Sequence, residues 1–270
     1  MNQDCIAFIG GGNMASALIG GLRRAGRAAQ DIVVVEPFEA QRARLAEQFG
    51  VQAQASADSR LAAVDLVVWA VKPQMFAEAA LPCAPYISAA LQVSLMAGVR
   101  SDAVVRASGS ARVVRTMPNT PALIGLGIAG LYARPEVSAA DRVLVDALFA
   151  PTGQVIWVIR EDDLDAVTAL SGSGPAYVFF FIEAMVQAAT EMGLSAEQGR
   201  HLAQATFAGA AALAQQSPLS PTALREQVTS KGGTTHAAIT ALQDQGVGPA
   251  FVKALHAARD RAAELGRAAG

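Results

Sequence analysis

The sequence contains few of the residues that build disulfide frameworks and metal centres. Its 270 residues include only two cysteines, Cys5 and Cys83, and no Cys-x-x-Cys pair. This excludes a disulfide framework and a cysteine-based metal cluster. The histidines His201, His236 and His256 lie in segments with helical patterns, without metal-ligand spacing and away from a nucleophile motif. We therefore expect no metal and no Ser-His-Asp chemistry.

Charge is scarce as well, since charged residues make up 16% of the chain, against roughly 25% in average soluble domains. A net charge of −2 gives no electrostatic reason to expect nucleic acid or an anionic membrane as a partner. The low charge fraction has two possible explanations, a high alanine content or a large face buried between subunits.

No signal-peptide pattern precedes the first apolar run. The least charged stretch, residues 166–190, carries Glu183, and the segment 171–175 is expected to interrupt its helical structure. Such a stretch is not predicted to span a membrane. We expect a soluble, cytoplasmic protein.

Two kinds of hydrophobic pattern divide the chain. Up to about residue 160, short apolar runs rich in β-branched residues alternate with helical segments, which predicts a mostly parallel sheet covered on both faces. Beyond residue 161 only helical patterns with N-cap signals remain. We predict an α/β domain over residues 1–162 and an all-α domain over 163–270. The predicted strands are 5–10, 31–36, 66–71, 91–96, 112–116 and 155–159.

A glycine-rich segment, Gly-Gly-Gly-Asn-Met-Ala, follows the first predicted strand and opens a helix. Gly10 allows the tight turn, Gly12 lets the backbone approach a pyrophosphate, and Ala15 lets helix and strand pack closely. The start of the helix offers free N–H groups and a positive dipole end to the phosphates. The segment predicts a Rossmann domain that binds NADH or NADPH, against the alternative of a glycine-rich turn without a ligand.

The second predicted strand ends in Glu36. An acidic side chain there can accept hydrogen bonds from the adenosine ribose, which would favour NADH. Arg42 and Arg44 lie further along the next helix and could instead bind the 2′-phosphate of NADPH. Alternatively, Glu36 simply caps the loop before Pro37. The sequence leaves the cofactor preference open.

Two further segments follow predicted strands, at the sheet edge where open α/β sheets bind ligands. In the first of them, Ala-Val-Lys-Pro (70–73), Pro73 starts a helix. Lys72 could neutralise the charge of a phosphate or a substrate, or it could simply face solvent. In Met-Pro-Asn-Thr-Pro, two prolines hold Asn119 and Thr120 in place. Such rigidity suits a binding site, although a structural turn would look similar.

In the second predicted domain, Val-Thr-Ser-Lys-Gly-Gly-Thr-Thr (228–235) lies between two helices. Gly232 and Gly233 expose backbone N–H groups at the start of a helix, which is a good receptor for a carboxylate. Ser230, Thr234 and Thr235 add hydroxyl groups. The alternative is a well-capped helix start.

Together these segments resemble the pyrroline-5-carboxylate reductase family. The matching segments begin at Phe8, Val71, Met117, Ser171 and Val228, in the order and spacing of that family and over essentially the whole chain. The resemblance implies reduction of the C=N bond of 1-pyrroline-5-carboxylate to L-proline, the last step of proline biosynthesis, with NADPH or NADH. It also implies a helical dimerisation domain that interleaves with a second subunit, and dimers that commonly assemble into decamers.

The resemblance assigns the pyrophosphate to the glycine turn and the nicotinamide side to two later strand ends. With Glu36 and Asn119 added, the expected cofactor-binding residues are Gly10, Gly11, Gly12, Asn13, Met14, Ala15, Glu36, Ala70, Val71, Lys72, Pro73, Leu95, Met96, Ala97 and Asn119.

The resemblance places the substrate carboxylate on the loop that contains Ser230, Gly232, Gly233, Thr234 and Thr235. Of these, Thr235 is the expected catalytic residue, with its hydroxyl against the ring nitrogen. Reduction of a protonated C=N bond needs a hydride and correct positioning rather than a nucleophile or a metal. The chain departs from the family pattern in one place of this loop, because the family has proline where Lys231 stands.

Three alternatives remain at this stage. A related cyclic-imine reductase would share every segment described above. A β-hydroxyacid-type dehydrogenase would need a lysine general acid in the helical domain, where only Lys231 and Lys253 are available. A non-catalytic nucleotide-sensing protein would tolerate loss of the loop 228–235.

Overall fold

The apolar runs of the N-terminal part form one sheet in the order β3-β2-β1-β4-β5-β6-β7-β8. Every neighbouring pair is parallel except β6 and β7. The order β3-β2-β1-β4-β5-β6 is that of a Rossmann sheet, so the predicted fold class is confirmed. The strands are β1 (Ile6–Ile9), β2 (Ile32–Val35), β3 (Ala53–Gln54), β4 (Leu66–Trp69), β5 (Leu91–Ser94), β6 (Val113–Met117), β7 (Gly127–Ala133) and β8 (Gly153–Trp157).

Both faces of the sheet are buried, which explains why its strands are almost continuously apolar. In β1, Ile6 and Phe8 belong to one apolar cluster, whereas Ala7 and Ile9 belong to the cluster on the opposite face. Full burial of a side chain such as Phe8 contributes about 1.5–3 kcal/mol. The rigid centre of the sheet therefore fixes the strand ends that follow Ile9.

The computed structural model describes residues 4–268. The helices are α1 (Asn13–Arg24), α2 (Glu39–Phe49), α3 (Phe76–Ala80), α4 (Ala84–Ile87), α5 (Ser101–Ser108), α6 (Ala139–Phe149), α7 (Asp163–Val167), α8 (Gly174–Glu191), α9 (Ala196–Gln216), α10 (Pro221–Gln227), α11 (Thr234–Asp244) and α12 (Val247–Ala268).

The chain divides into two units, one up to Ser173 together with the segment from Ala258, the other Gly174–Ala257. The domain boundary predicted at residue 162 lies where strand patterns give way to helical ones, and it stays a prediction. Within the second unit, α8 and α9 approach closely, since a Cβ on Gly199 would lie 2.7 Å from the Cβ of Ala189.

Two strands escaped sequence-based prediction. Strand β3 has only two residues, too few for a pattern. Strand β7, Gly-Ile-Ala-Gly-Leu-Tyr-Ala, contains small residues that normally disfavour strands. A Cβ on Gly130 would lie 2.6 Å from Cγ1 of Val167, so the glycine lets α7 pack against the strand.

The expected interruption at residues 171–175 is a local irregularity, because the α-helical structure breaks at Ser173 but helical turns lie on both sides of it. A π-helical turn, Thr168–Gly172, follows α7, and α8 begins at Gly174. The segment Asp163–Glu191 is thus long and apolar enough to cross a membrane by length and composition alone, with a mean hydropathy of 1.3 and 6% of that window buried.

Candidate active site

The turn after β1 brings the ends of three strands together. Gly10 has a φ of 96°, which favours glycine. Its N–H donates to the carbonyl of Val35 at 2.8 Å, and the Ala70 N–H donates to Ile9 O at 2.8 Å. A Cβ on Gly10 would lie 2.7 Å from the Ala70 carbonyl oxygen. Glycine is therefore required where β1 and β4 separate toward the sheet edge.

Gly12 precedes α1 and leaves the start of the helix open. Its backbone is extended, and apart from its two chain neighbours no described residue has an atom within 4 Å of the position a Cβ would take. Within the described chain, no side chain caps α1 and its first turn holds no acidic residue. Asn13 and Met14 begin the helix, and Ala15 is fully buried beneath them. The free N–H groups and the helix dipole suit a pyrophosphate.

A cavity of about 560 Å³ lies at the carboxyl ends of β1, β2 and β4, a volume typical of a small-molecule or cofactor site. This is where the strand order reverses, the position at which open α/β sheets bind ligands. Its open glycine cradle and uncapped helix start fit a dinucleotide. The predicted residues that line it are Gly10, Gly12, Glu36, Ala70, Val71 and Lys72.

Several lining residues escaped sequence-based prediction. Ala55, Ser56 and Ala57 follow the two-residue strand β3, which gave no signal in the sequence. Phe38 and Gln41 belong to the loop and helix after Glu36, and the amide of Gln41 donates to the Gly11 carbonyl at 2.5 Å. Had β3 been long enough to show a strand pattern, the residues 55–57 after it would have been predicted to lie at the same sheet edge.

The other predicted cofactor residues lie outside this cavity. Pro73 starts a short 3-10 turn, and Leu95 is half-buried just beyond β5. Met96 and Ala97 line a separate small cavity of about 40 Å³ in the same unit. The residues that do not line the larger cavity are Gly11, Asn13, Met14, Ala15, Pro73, Leu95, Met96, Ala97 and Asn119.

Glu36 is buried, with 5% of its surface exposed. Its carboxylate accepts hydrogen bonds from the Gly11 N–H at 2.8 Å and from the Phe38 N–H at 2.9 Å. Nη1 of Arg42 donates to the backbone carbonyls of Glu36 at 2.9 Å and Pro37 at 2.7 Å. Glu36 therefore braces the glycine turn and its own loop while it faces the cavity.

Asn119 connects three segments of the first unit. Its Oδ1 accepts from the Ile128 N–H at 3.0 Å, and its Nδ2 donates to the Ser171 carbonyl at 3.3 Å. The side chain thus joins the end of β6 to β7 and to the π-helical turn. This gives Asn119 a structural task in the proline-bounded loop.

The loop before α11 is described within the second unit. The Gly233 N–H donates to the Ser230 carbonyl at 3.0 Å, which closes a turn. Gly232, the third residue of this turn, has a φ of 76°, as a type II turn requires. Lys231 occupies the second position, where proline is common. The turn therefore forms without the proline of the family pattern.

Thr234 and Thr235 form the first turn of α11, after the N-cap Gly233. No side chain among the described residues caps this helix, so its first N–H groups remain available to a carboxylate. Thr235 is half-buried, whereas Thr234 and Ser230 are exposed. Among residues 4–268, no group of three or more His, Cys, Asp or Glu side chains could hold a metal ion.

Comparison with known proteins agrees with both parts of this arrangement. Residues 161–265 match the model for pyrroline-5-carboxylate reductase dimerisation. Residues 5–98 match the model for NADP oxidoreductase, coenzyme F420-dependent. Pyrroline-5-carboxylate reductase from Pseudomonas aeruginosa is 43% identical and covers 100% of both chains.

Solved structures extend the similarity to three dimensions. A pyrroline-5-carboxylate reductase from Coxiella burnetii has a TM-score of 0.90 at 38% identity, covering 98% of this chain and 99% of that one. The pyrroline carboxylate reductase of Plasmodium falciparum, solved with NADP bound, has a TM-score of 0.87 at 28% identity, with 98% and 99% coverage. On this full-length similarity, the chain belongs to the pyrroline-5-carboxylate reductase family.

Proposed function

We propose that this protein reduces the C=N bond of 1-pyrroline-5-carboxylate to form L-proline, the last step of proline biosynthesis, in the cytoplasm. The observation that carries the proposal is full-length identity of 43% to a pyrroline-5-carboxylate reductase. The open helix start at Gly12 and the turn before α11 provide the two kinds of anion receptor that such an enzyme needs.

The residues around the larger cavity would hold the dinucleotide. Gly10 and Gly12 would let the pyrophosphate approach the N-terminus of α1, while Gly11, Asn13, Met14 and Ala15 shape that turn. When bound, reduced nicotinamide supplies the hydride. Its ring would lie toward the strand ends, against Ala70, Val71, Lys72 and Pro73, and Leu95, Met96 and Ala97. Asn119 would keep the neighbouring loop rigid.

The loop of the second unit would bind the substrate. The N–H groups of Gly232 and Gly233, with the hydroxyls of Ser230 and Thr234, would receive the carboxylate. The ring nitrogen carries a proton before reduction, and its N–H would donate to the Thr235 hydroxyl oxygen. The hydride then adds to the C=N carbon, and the product is a secondary amine. This role requires positioning only.

The dimerisation match over residues 161–265 supports a homo-oligomer. Helix α8 has large apolar side chains on its surface, with Phe179 58% and Phe180 66% exposed. We assign this surface to the dimer interface, not to a membrane, and propose that dimers assemble further into a decamer. The net charge of −2 offers nucleic acid no electrostatic attraction.

None of the three alternatives is favoured over the reductase. A β-hydroxyacid-type dehydrogenase would require a lysine general acid in the helical region, whereas Lys231 occupies an exposed turn position and Lys253 an exposed helix position. A nucleotide-sensing protein would not need the turn closed by Gly233. A cyclic-imine reductase with another physiological substrate would use the same groups.

The test is oxidation of NADH and NADPH by the purified protein with and without 1-pyrroline-5-carboxylate. We expect oxidation only when the imine is present, with L-proline formed in equal amount. Tight cofactor binding without turnover on this imine would contradict the reductase assignment and favour the sensor. Faster turnover on a different cyclic imine would identify a related reductase.

A further inference from the structure

We propose that the carboxylate of Glu36 makes this protein select NADH over NADPH. The inference rests on the proposed cofactor site, because it concerns the part of the 560 Å³ cavity that would receive the adenosine ribose. The two dinucleotides differ only at this ribose, where NADPH carries a 2′-phosphate in place of a hydroxyl group. The choice therefore depends on which charged groups face that position.

The carboxylate of Glu36 cannot easily turn away from the cavity. One oxygen accepts the Gly11 N–H at 2.8 Å and the other accepts the Phe38 N–H at 2.9 Å. The carboxylate also lies close to the backbone of the glycine turn, since a Cβ on Gly11 would be 3.3 Å from Oε2 of Glu36. A rearrangement that removed the carboxylate would leave two backbone donors without partners, which is unfavourable at a buried position.

The same carboxylate has capacity left for ribose hydroxyls. A carboxylate offers about four lone-pair sites, and each oxygen of Glu36 uses one site on a backbone N–H. A 2′-hydroxyl can donate to a remaining site, as acidic residues at the end of the second Rossmann strand do in NAD-binding proteins. NADH thus gains a hydrogen bond with a charged acceptor.

A 2′-phosphate meets the opposite situation. Near neutral pH it has largely lost the proton that it could donate, because its oxygens are mainly ionised, with a charge of about −1.5 to −2. Next to a buried carboxylate, this charge is repelled more strongly than in water. The repulsive element is fixed in place, which is an effective way to exclude a competing ligand.

The nearby cations do not reverse this preference. Arg42 already donates through Nη1 to the carbonyls of Glu36 and Pro37 and does not line the cavity. Arg44 lines the cavity from an exposed position on α2, where solvent screening leaves an ion pair little net effect. The cavity's acidic residues, Glu36 and Glu78, balance its basic residues, Arg44 and Lys72.

Binding of two fragments tests the inference without any catalysis. Calorimetric titration of the purified protein with ADP-ribose and with 2′-phospho-ADP-ribose compares the two ribose forms directly. We expect ADP-ribose to bind at least about tenfold more tightly, which corresponds to about 1.4 kcal/mol. Equal binding, or tighter binding of the 2′-phosphorylated fragment, would overturn the proposal.

Variants identify the residue responsible. Glu36→Gln removes the charge and should reduce the preference for ADP-ribose to about threefold or less, mainly by improved binding of 2′-phospho-ADP-ribose. A purely structural role would weaken both fragments equally and leave the ratio unchanged. Glu39→Gln is the matched control, since it removes the same charge from an exposed position of α2 outside the cavity, and it should leave the ratio unchanged.

Arg44→Gln tests the opposite hypothesis. If Arg44 recognised a 2′-phosphate, this variant would lose affinity for 2′-phospho-ADP-ribose alone, and the proposal would be wrong. Should Glu36→Gln fail to fold, the wild-type ratio still decides. Failure of the reductase assignment is a separate result, because turnover on 1-pyrroline-5-carboxylate would be absent with both cofactors whatever the fragment ratio.

Discussion

Arg115 and Glu161 form an ion pair inside the first unit, with Nη1 of the arginine 2.8 Å from Oε1 of the glutamate. The side chains are only 6% and 20% exposed. Glu161 also accepts the Ser101 N–H at 2.7 Å and the Ser101 hydroxyl at 2.8 Å. One carboxylate thereby ties β6 and the start of α5 to the segment before α7.

This ion pair predicts a specific dependence of stability on pH. Burial raises the pKa of Glu161, but hydrogen bonds from Ser101 and Arg115 outweigh it and hold the pKa below the ordinary value of 4.5. Because the folded-state pKa is depressed, the stabilisation is present above pH 4.5 and is lost as the pH falls through the folded-state value.

We expect Glu161→Gln to be less stable at pH 7, by about 1–3 kcal/mol, and to lose less stability than the wild type on acidification. Urea unfolding of both proteins between pH 7 and pH 3 measures the difference. Parallel curves for the two proteins would show that Glu161 does not contribute to acid sensitivity.

Two glycines of the nucleotide turn should respond differently to alanine. Gly10→Ala places a Cβ 2.7 Å from the Ala70 carbonyl oxygen at a φ of 96°, so we expect loss of both stability and cofactor affinity. Gly12→Ala meets no described atom within 4 Å apart from its chain neighbours and should change the free energy of unfolding by no more than about 0.5 kcal/mol. Its methyl group would still keep a pyrophosphate from the helix, lowering cofactor affinity.

Urea unfolding and NADH titration of both variants separate the effect on stability from the effect on binding. Normal NADH binding by Gly12→Ala would refute the assignment of the pyrophosphate to this turn.

Thr235→Ala should lower turnover on 1-pyrroline-5-carboxylate on the order of 10²-fold, since a misplaced substrate loses productive geometry. Cofactor affinity should stay nearly unchanged. Thr235→Ser retains the hydroxyl and should restore most of the rate, and Thr240→Ala, at an exposed position of the same helix, serves as control. Steady-state kinetics and NADH titration supply the readouts. If the alanine variant turned over normally, Thr235 would not belong to the site.

Lys231→Pro should stabilise the chain by about 0.4–1 kcal/mol, because proline suits the second position of a turn whose third residue has a positive φ. Thermal unfolding measures this gain. Lys231→Gln separates charge from conformation, and we expect it to raise the KM for the imino acid if the lysine attracts the carboxylate. Destabilisation by proline would mean that the backbone at residue 231 differs from the second position of a type II turn.

Local patterns predicted the parts of the fold and candidate site that depend on neighbouring residues. The turn at Gly10, the longer helices and the turn before Thr235 belong to this group, because spacing and cap residues specify them. Long-range partners could not be predicted in this way. The amide of Asn119 bonds to Ile128 and to Ser171, and the Glu36 carboxylate to Gly11, contacts that exist only after the sheet has formed.

In the proposed homo-oligomer, the exposed apolar face of α8 would link folding to protein concentration. Within the described part of this helix only Ala189 is buried, while the side chains of Phe179 and Phe180 remain largely accessible. In a homo-oligomer, the free energy gained by covering such a face is released only on association, so the midpoint of thermal unfolding rises with concentration. In the proposed oligomer, the stability of each chain would therefore depend on the concentration of the others, and dilution would lower the unfolding midpoint.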